Sequence, residues 1–117
     1  MTTKELGDYG EKLAQEFLVE KGYKIAQTNF RLSKSEIDIL CVSEKKLIIV
    51  EVKTRKTAEI GEPWRAVTRA KQKQIIKVAN HYIFENDINL ETRFDIISIV
   101  HNSFRTDIEH IEDAFTP

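Results

Sequence analysis

Four residues in one short stretch could do chemistry together. The segment SEIDILCVSEKKLIIVEVKTRK, residues 35–56, sets Glu36, Asp38, Glu51 and Lys53 inside two apolar runs that read as β-strands. The polar SEKK between the runs reads as a hairpin turn. Centred on Glu44 and Lys45, that hairpin puts Val42 opposite Leu47, Asp38 opposite Glu51 and Glu36 opposite Lys53. A β-bulge would shift the pairing by one residue. Opposed strand residues have Cβ atoms ~5 Å apart. Two ionised carboxylates at that separation repel by about 3 kcal/mol at an effective dielectric of ~20. Either Lys53 neutralises the pair or a cation does. Carboxylates with a nearby backbone carbonyl suit Mg²⁺ or Mn²⁺, whereas zinc favours Cys and His ligands, which these four residues do not supply. A metal there would polarise a phosphoryl oxygen and lower the pKa of a bound water. Lys53 would orient that water or stabilise charge on the phosphate.

From the two strands alone, a structural salt-bridge cluster and a metal site stand as equal readings. Two further positions favour the second. Gln72 lies on the helical stripe of Ile75, Ile76, Ala79 and Ile83, pointing toward a sheet. Glu11 flanks an apolar stripe in an N-terminal helix, in register with Ala14, Gln15 and Leu18. Each alone is an ordinary boundary residue; together they are polar groups able to reach one patch.

The elements that must position these groups follow from periodicity. Leu6, Leu13, Ala14, Phe17 and Leu18 recur at helical spacing from Lys4 to about Lys21, and Gly22 supplies a stop. Residues 23–30, 36–42, 47–53 and 93–100 read as strands, and 54–64 as a loop. A second helix begins at a Thr68 cap and runs to about Glu85. HIEDAF, residues 110–115, reads as a short turn or helix. The order is αβββαβ, an α/β fold with a mixed sheet flanked by helices. Its third and fourth strands should be parallel, joined by a right-handed crossover through the long helix.

Composition bounds the rest. A chain of 117 residues with 41% hydrophobic and 32% charged content fits one globular domain spanning 1–117. It has no apolar run long enough for a membrane span, and its charged start does not fit a signal peptide. A single cysteine, Cys41, excludes an internal disulfide and suggests a reducing, cytoplasmic setting. The net charge of −1 conceals a basic block. From Glu51 to Lys77 there are eight Lys and Arg residues against three acids. Such a block can meet phosphates, although a solvated helix face explains the charge equally well.

The ordered set GDYGEKLAQEFL, GYKIAQTNFR, EIDIL, VEVKTR, GEPWRAV, KQ, RFDII and HIEDAF resembles the YraN-type family of small bacterial proteins over roughly residues 7–115. Asp38 followed by Glu51-Val52-Lys53 resembles the core of the PD-(D/E)XK nuclease superfamily, with Ile37 where a Pro often precedes the first acid. The resemblance implies a restriction-endonuclease-like domain, and archaeal Holliday-junction resolvases are the nearest general likeness. It implies that Asp38, Glu51 and the Val52 carbonyl bind Mg²⁺ or Mn²⁺, that Lys53 assists the attacking water, and that Glu11 and Gln72 complete the site. Where the family pattern has Gly before Glu-Ile-Asp this chain has Ser35, and a serine makes that turn less freely than a glycine.

The remaining singular residues have blander readings. Cys41, sharing a face with Ile37 and Ile39, reads as a core thiol. His81, His101 and His110 lack metal-ligand spacing and read as surface or packing residues, with His110 set apart by its place in the family-like tail. Trp64 and Pro63 read as a loop anchor before a base-stacking platform, and Asp95 as the salt-bridge partner of Arg93. Three functions compete. The first is a metal-dependent endonuclease on DNA, branched or damaged DNA being candidate substrates, with Arg31, Arg55, Lys56, Arg65, Arg69 and Lys73 on phosphates and a homodimer where cutting is symmetric. The second is a non-catalytic nucleic-acid-binding module of the same fold. The third is an interaction scaffold in which the acid–lysine patch is only structural.

Overall fold

The computed structural model describes residues 1–57 and 67–117. The expectations for Pro63, Trp64 and Arg65, and for most of the 54–64 loop, fall outside the described residues.

Helix α1 (Thr3–Glu20) starts at a reciprocal box. The Thr2 hydroxyl accepts from the Glu5 N–H, while the Glu5 carboxylate accepts from the Thr2 N–H. At its other end Gly22 adopts φ +93°, the Tyr23 N–H donates to the Leu18 carbonyl, and the Gly22 N–H donates to Val19. This is a Schellman stop, which only a residue free to take positive φ makes without strain. Strands β1 (Lys24–Leu32), β2 (Ser35–Ser43) and β3 (Lys46–Arg55) follow, then α2 (Arg69–Glu85), β4 (Glu91–His101) and β5 (Thr106–Phe115). Thr68 caps α2, its hydroxyl accepting from the Lys71 N–H.

The strands form one sheet in the order β1-β2-β3-β4-β5. β3 and β4 run parallel, as the crossover demanded, and the other neighbours are antiparallel. One helix covers each face. Ala14 and Leu18 of α1 pack with Ile39, Cys41, Ile48, Val50, Ile97 and Ile99. Ile75, Val78, Ala79 and Tyr82 of α2 pack with Leu40, Leu47, Ile49, Phe94 and Ile96. Central β3 is buried on both sides, which is why its sequence runs Leu-Ile-Ile-Val without polar interruption.

The tail departs from expectation. HIEDAF is neither turn nor helix but the second half of β5, an edge strand. Its positions alternate between polar and half-buried residues, and Asp113 (φ 52°) marks an irregularity in the pairing with β4. An edge strand exposed along much of its length carries little of the apolar signal on which periodicity depends.

Candidate metal centre

The hairpin between β2 and β3 turns through Glu44 (φ 50°) and Lys45 (φ 63°), both left-handed, as a two-residue turn matched to strand twist requires. It fixes the expected register from Ser43↔Lys46 to Ile39↔Val50, and there the ladder ends. Beyond that point the Val52 N–H donates to the Asp38 carboxylate, at 2.8 Å, rather than to a strand carbonyl. The facing of β2 slips at the same place. Ile39 and Cys41 belong to the α1-side core, but Ile37 belongs to the α2-side core. The expectation that Ile37, Ile39 and Cys41 share a face is therefore corrected: the two-residue period breaks at Asp38, where the strands fork. Cys41 is the expected core thiol, fully buried, with burial pushing its pKa up to about 12.

Into this fork come carboxylates from three elements. Glu51 of β3 is buried, and its Oε2 has no hydrogen-bond partner among the described residues. Asp38 lies between Glu51 and Glu11; burial, then hydrogen bonding and charge from Glu51, push its pKa up to about 8 against the opposing Val52 N–H. Glu11 arrives because α1 crosses β3 at Gly10, where a Cβ would clash with the Thr54 side chain. Burial also raises the Glu11 pKa; hydrogen bonding from Asn29 opposes the rise, and the charges of Asp38 and Glu36 add to it. Carboxylate oxygens of Glu11, Glu36 and Asp38 all lie within 4.8 Å of one another.

Asn29 is the residue that sequence reasoning missed. Its Nδ2 donates to Glu11 at 3.1 Å and to Glu36 at 2.8 Å. It holds φ 51° within β1, a conformation Asn tolerates better than most side chains. An Asn inside an otherwise alternating strand was the available signal. Glu36 takes a further bond from Arg31 Nε at 3.2 Å. It is thus partnered from β1, and the expected Glu36–Lys53 pairing gives way because the β2–β3 ladder stops before reaching it.

The other expected residues divide. Lys53 is half-buried two residues beyond Glu51 on β3. Gln72 uses its amide locally: Nε2 donates to the Val67 carbonyl and Oε1 accepts from Arg69, both at the start of α2. Lys56 and Lys73 are exposed and Arg55 is half-buried.

A second group of ligand-type residues, Asp95, His110 and Glu112, lies on the α1 side of β4 and β5. Asp95 is wholly buried yet fully partnered. Arg93 grips both its oxygens at 2.9 and 2.8 Å, His110 Nε2 lies 2.7 Å away, and the Asp113 N–H donates at 3.0 Å. Burial would raise the Asp95 pKa, but hydrogen bonds from His110, Arg93 and the Asp113 amide hold it below the usual value. Lys21 Nζ sits 2.7 Å from His110 Nδ1. An ammonium only donates, so Nδ1 accepts and Nε2 carries the proton given to Asp95. Arg93 also contacts the Tyr23 hydroxyl and Glu112. The expected Arg93–Asp95 bridge is present. His110, expected at the surface or in packing, does pack edge-on against the Phe17 and Tyr23 rings and is also a member of this network. A resident arginine already supplies the positive charge, so these acids need no metal.

The molecule is thus a single mixed-sheet α/β domain with an under-neutralised carboxylate cluster in a strand fork. It matches the family described as Uncharacterised protein family UPF0102 over residues 10–99. It is 47% identical over 111 residues to a UPF0102 protein of Flavobacterium psychrophilum, spanning 95% of this chain and 93% of that one. A relative from Clostridioides difficile is 44% identical over 116 residues, covering 98% and 100%. One from Prosthecochloris aestuarii is 40% identical over 118 residues, covering 95% and 93%. The chain belongs to the UPF0102 family. No helix among the described residues is long and apolar enough to cross a membrane.

Proposed function

We propose that this protein is a divalent-metal-dependent nuclease of the PD-(D/E)XK kind, hydrolysing phosphodiester bonds in DNA. One observation carries the reading: Glu51 Oε2 is buried without a partner among the described residues, beside an Asp38 whose pKa is raised toward 8. A fold gains nothing from burying an unsatisfied oxygen against a second carboxylate. A cation resolves both defects. The donors fit a hard ion: carboxylates of Asp38, Glu51 and Glu11, with the Val52 carbonyl, and no thiolate or imidazole. Bound there, Mg²⁺ or Mn²⁺ supplies Lewis acidity toward a phosphoryl oxygen and a more acidic water.

The chain's own groups supply the rest. Asp38 is oriented by the Val52 N–H, and Glu11 by Asn29. Lys53, on the same strand as Glu51, offers an ammonium to stabilise charge developing on the phosphate. The Gln72 amide is taken up by Val67 and Arg69 at the start of α2 and takes no part in the reaction. Arg31, Arg55, Lys56, Arg65, Arg69 and Lys73 hold the DNA backbone. Branched DNA cut symmetrically would require two copies, and a cytoplasmic setting accords with the single thiol.

The test is a cleavage panel with Mn²⁺ on duplex, flap, junction and single-stranded DNA, and on RNA. Cutting of DNA by the wild type, lost in Asp38→Ala, Glu51→Ala and Lys53→Ala, supports the reading. Tight binding without cutting of any substrate, unchanged in Glu51→Ala, would instead mark a non-catalytic binding module.

A further inference from the structure

A groove of about 470 Å³ lies between the β1–β2 turn and the middle of α2, lined by Leu32, Ser33, Lys34, Ser35, Gln74, Lys77 and Val78. Its apolar floor is Val78 and Leu32, and its walls carry two ammonium groups, two hydroxyls and an amide. No carboxylate lines it among the described residues. Elsewhere Lys4, Arg31, Arg93 and Arg105 are each paired with an acid. Hydroxyls and an amide beside two cations match a phosphodiester chain, whose oxygens accept hydrogen bonds and whose phosphates carry one negative charge each.

Position ties the groove to the fork. Ser35 is three residues from Asp38 along β2, so the groove lies ~10 Å from the carboxylates at ~3.3 Å per residue. Along a duplex axis that is about three phosphates of one strand, at ~3.4 Å each. Ser33 holds φ 57° in the tight turn, so the groove's β wall is a hairpin end with a defined shape. On the helical wall Lys73 precedes Lys77 by one turn and extends the positive stripe.

We infer that this groove is a phosphate-backbone track for the nucleic-acid strand on which the fork acts, with Lys34 and Lys77 as its charged contacts. The inference rests on the nuclease reading for the identity of the strand. It adds two lysines and a direction: the strand runs from the fork over the β1–β2 turn onto α2.

The experiment measures binding of a fluorescent DNA duplex in Ca²⁺ or EDTA, across a salt series, by wild type, Lys34→Gln/Lys77→Gln and Lys34→Glu/Lys77→Glu. Both lysines are exposed, so an unchanged thermal midpoint establishes that the variants fold. The Gln pair should flatten the log–log salt slope by about two, and the Glu pair should weaken binding at least ~10-fold at ~0.1 M salt. Wild-type affinity and slope in both variants, or no DNA binding by the wild type, would overturn the track. So would a loss seen only with anionic lipid vesicles. If the lysines govern binding but no substrate is cut in Mn²⁺, the track stands and the nuclease reading fails. If DNA is cut yet the lysines are silent, the reverse holds.

Discussion

Two acid clusters share one sheet, and burial has opposite consequences for them. Asp95 is wholly enclosed but receives hydrogen bonds from Arg93, His110 and the Asp113 amide, and its pKa falls. Asp38 is less enclosed, receives one backbone N–H, faces other carboxylates, and its pKa rises. Burial is common to both; the balance of partners decides the sign. The first cluster is complete within the chain and serves the fold by tying β4 and β5 to the end of α1. The second lacks a matching set of donors among the described residues, and it is this contrast on which the proposed metal-binding reading rests.

The contrast is broken most forcefully at Asp95. Asp95→Ala strips a buried partner from Arg93 and His110, and should cost about 3–5 kcal/mol in denaturant unfolding. An equal loss from Asp38→Ala in metal-free buffer would erase the distinction between the clusters.

Acid titration sharpens it next. The folded-state pKa of Asp38 lies above its unfolded value, so the folded state binds that proton more tightly. Its contribution to metal-free stability is therefore fullest below pH ~4 and is lost as pH rises toward 8, by up to about 1.4 kcal/mol per unit. Asp95 has the opposite sign: its contribution is present above the ordinary aspartate pKa and is lost as pH falls. Metal-free unfolding curves of wild type and Asp38→Asn should thus diverge from pH 4 to 8, and converge below it.

Gly10→Ala tests how Glu11 reaches the fork. The added methyl meets the Thr54 side chain and should cost about 1–3 kcal/mol, recovered in part by Thr54→Ala. The smallest effect is expected from Glu51→Gln without metal, a gain of about 1 kcal/mol above pH ~8, where Asp38 is ionised and its repulsion by Glu51 is relieved. A clear loss there would favour a merely structural cluster.

Much of this was legible before any coordinates. The register of the β2–β3 hairpin followed from its turn, because a two-residue turn at Glu44-Lys45 permits one pairing. The parallel β3–β4 pair followed from the intervening helix. The fork itself was not legible. Strict alternation placed Ile37 with Ile39, and only the broken ladder at Asp38 shows that it points elsewhere. Lys77 stood out in the basic block but Lys34 was not legible beside it, because the two are far apart in sequence and meet only where the β1–β2 turn lies against α2. His110 looked isolated for the same reason: Lys21, Asp95 and His110 meet only once β5 joins the sheet.

The most direct measurement is calorimetric titration of Mn²⁺ into metal-free protein, with Asp38→Asn and Glu51→Gln alongside. The account predicts saturable binding by the wild type, lost in both variants, and retained when His110 or Glu112 is replaced. Equal heats from wild type and fork variants, or binding that disappears with His110 instead, would contradict it.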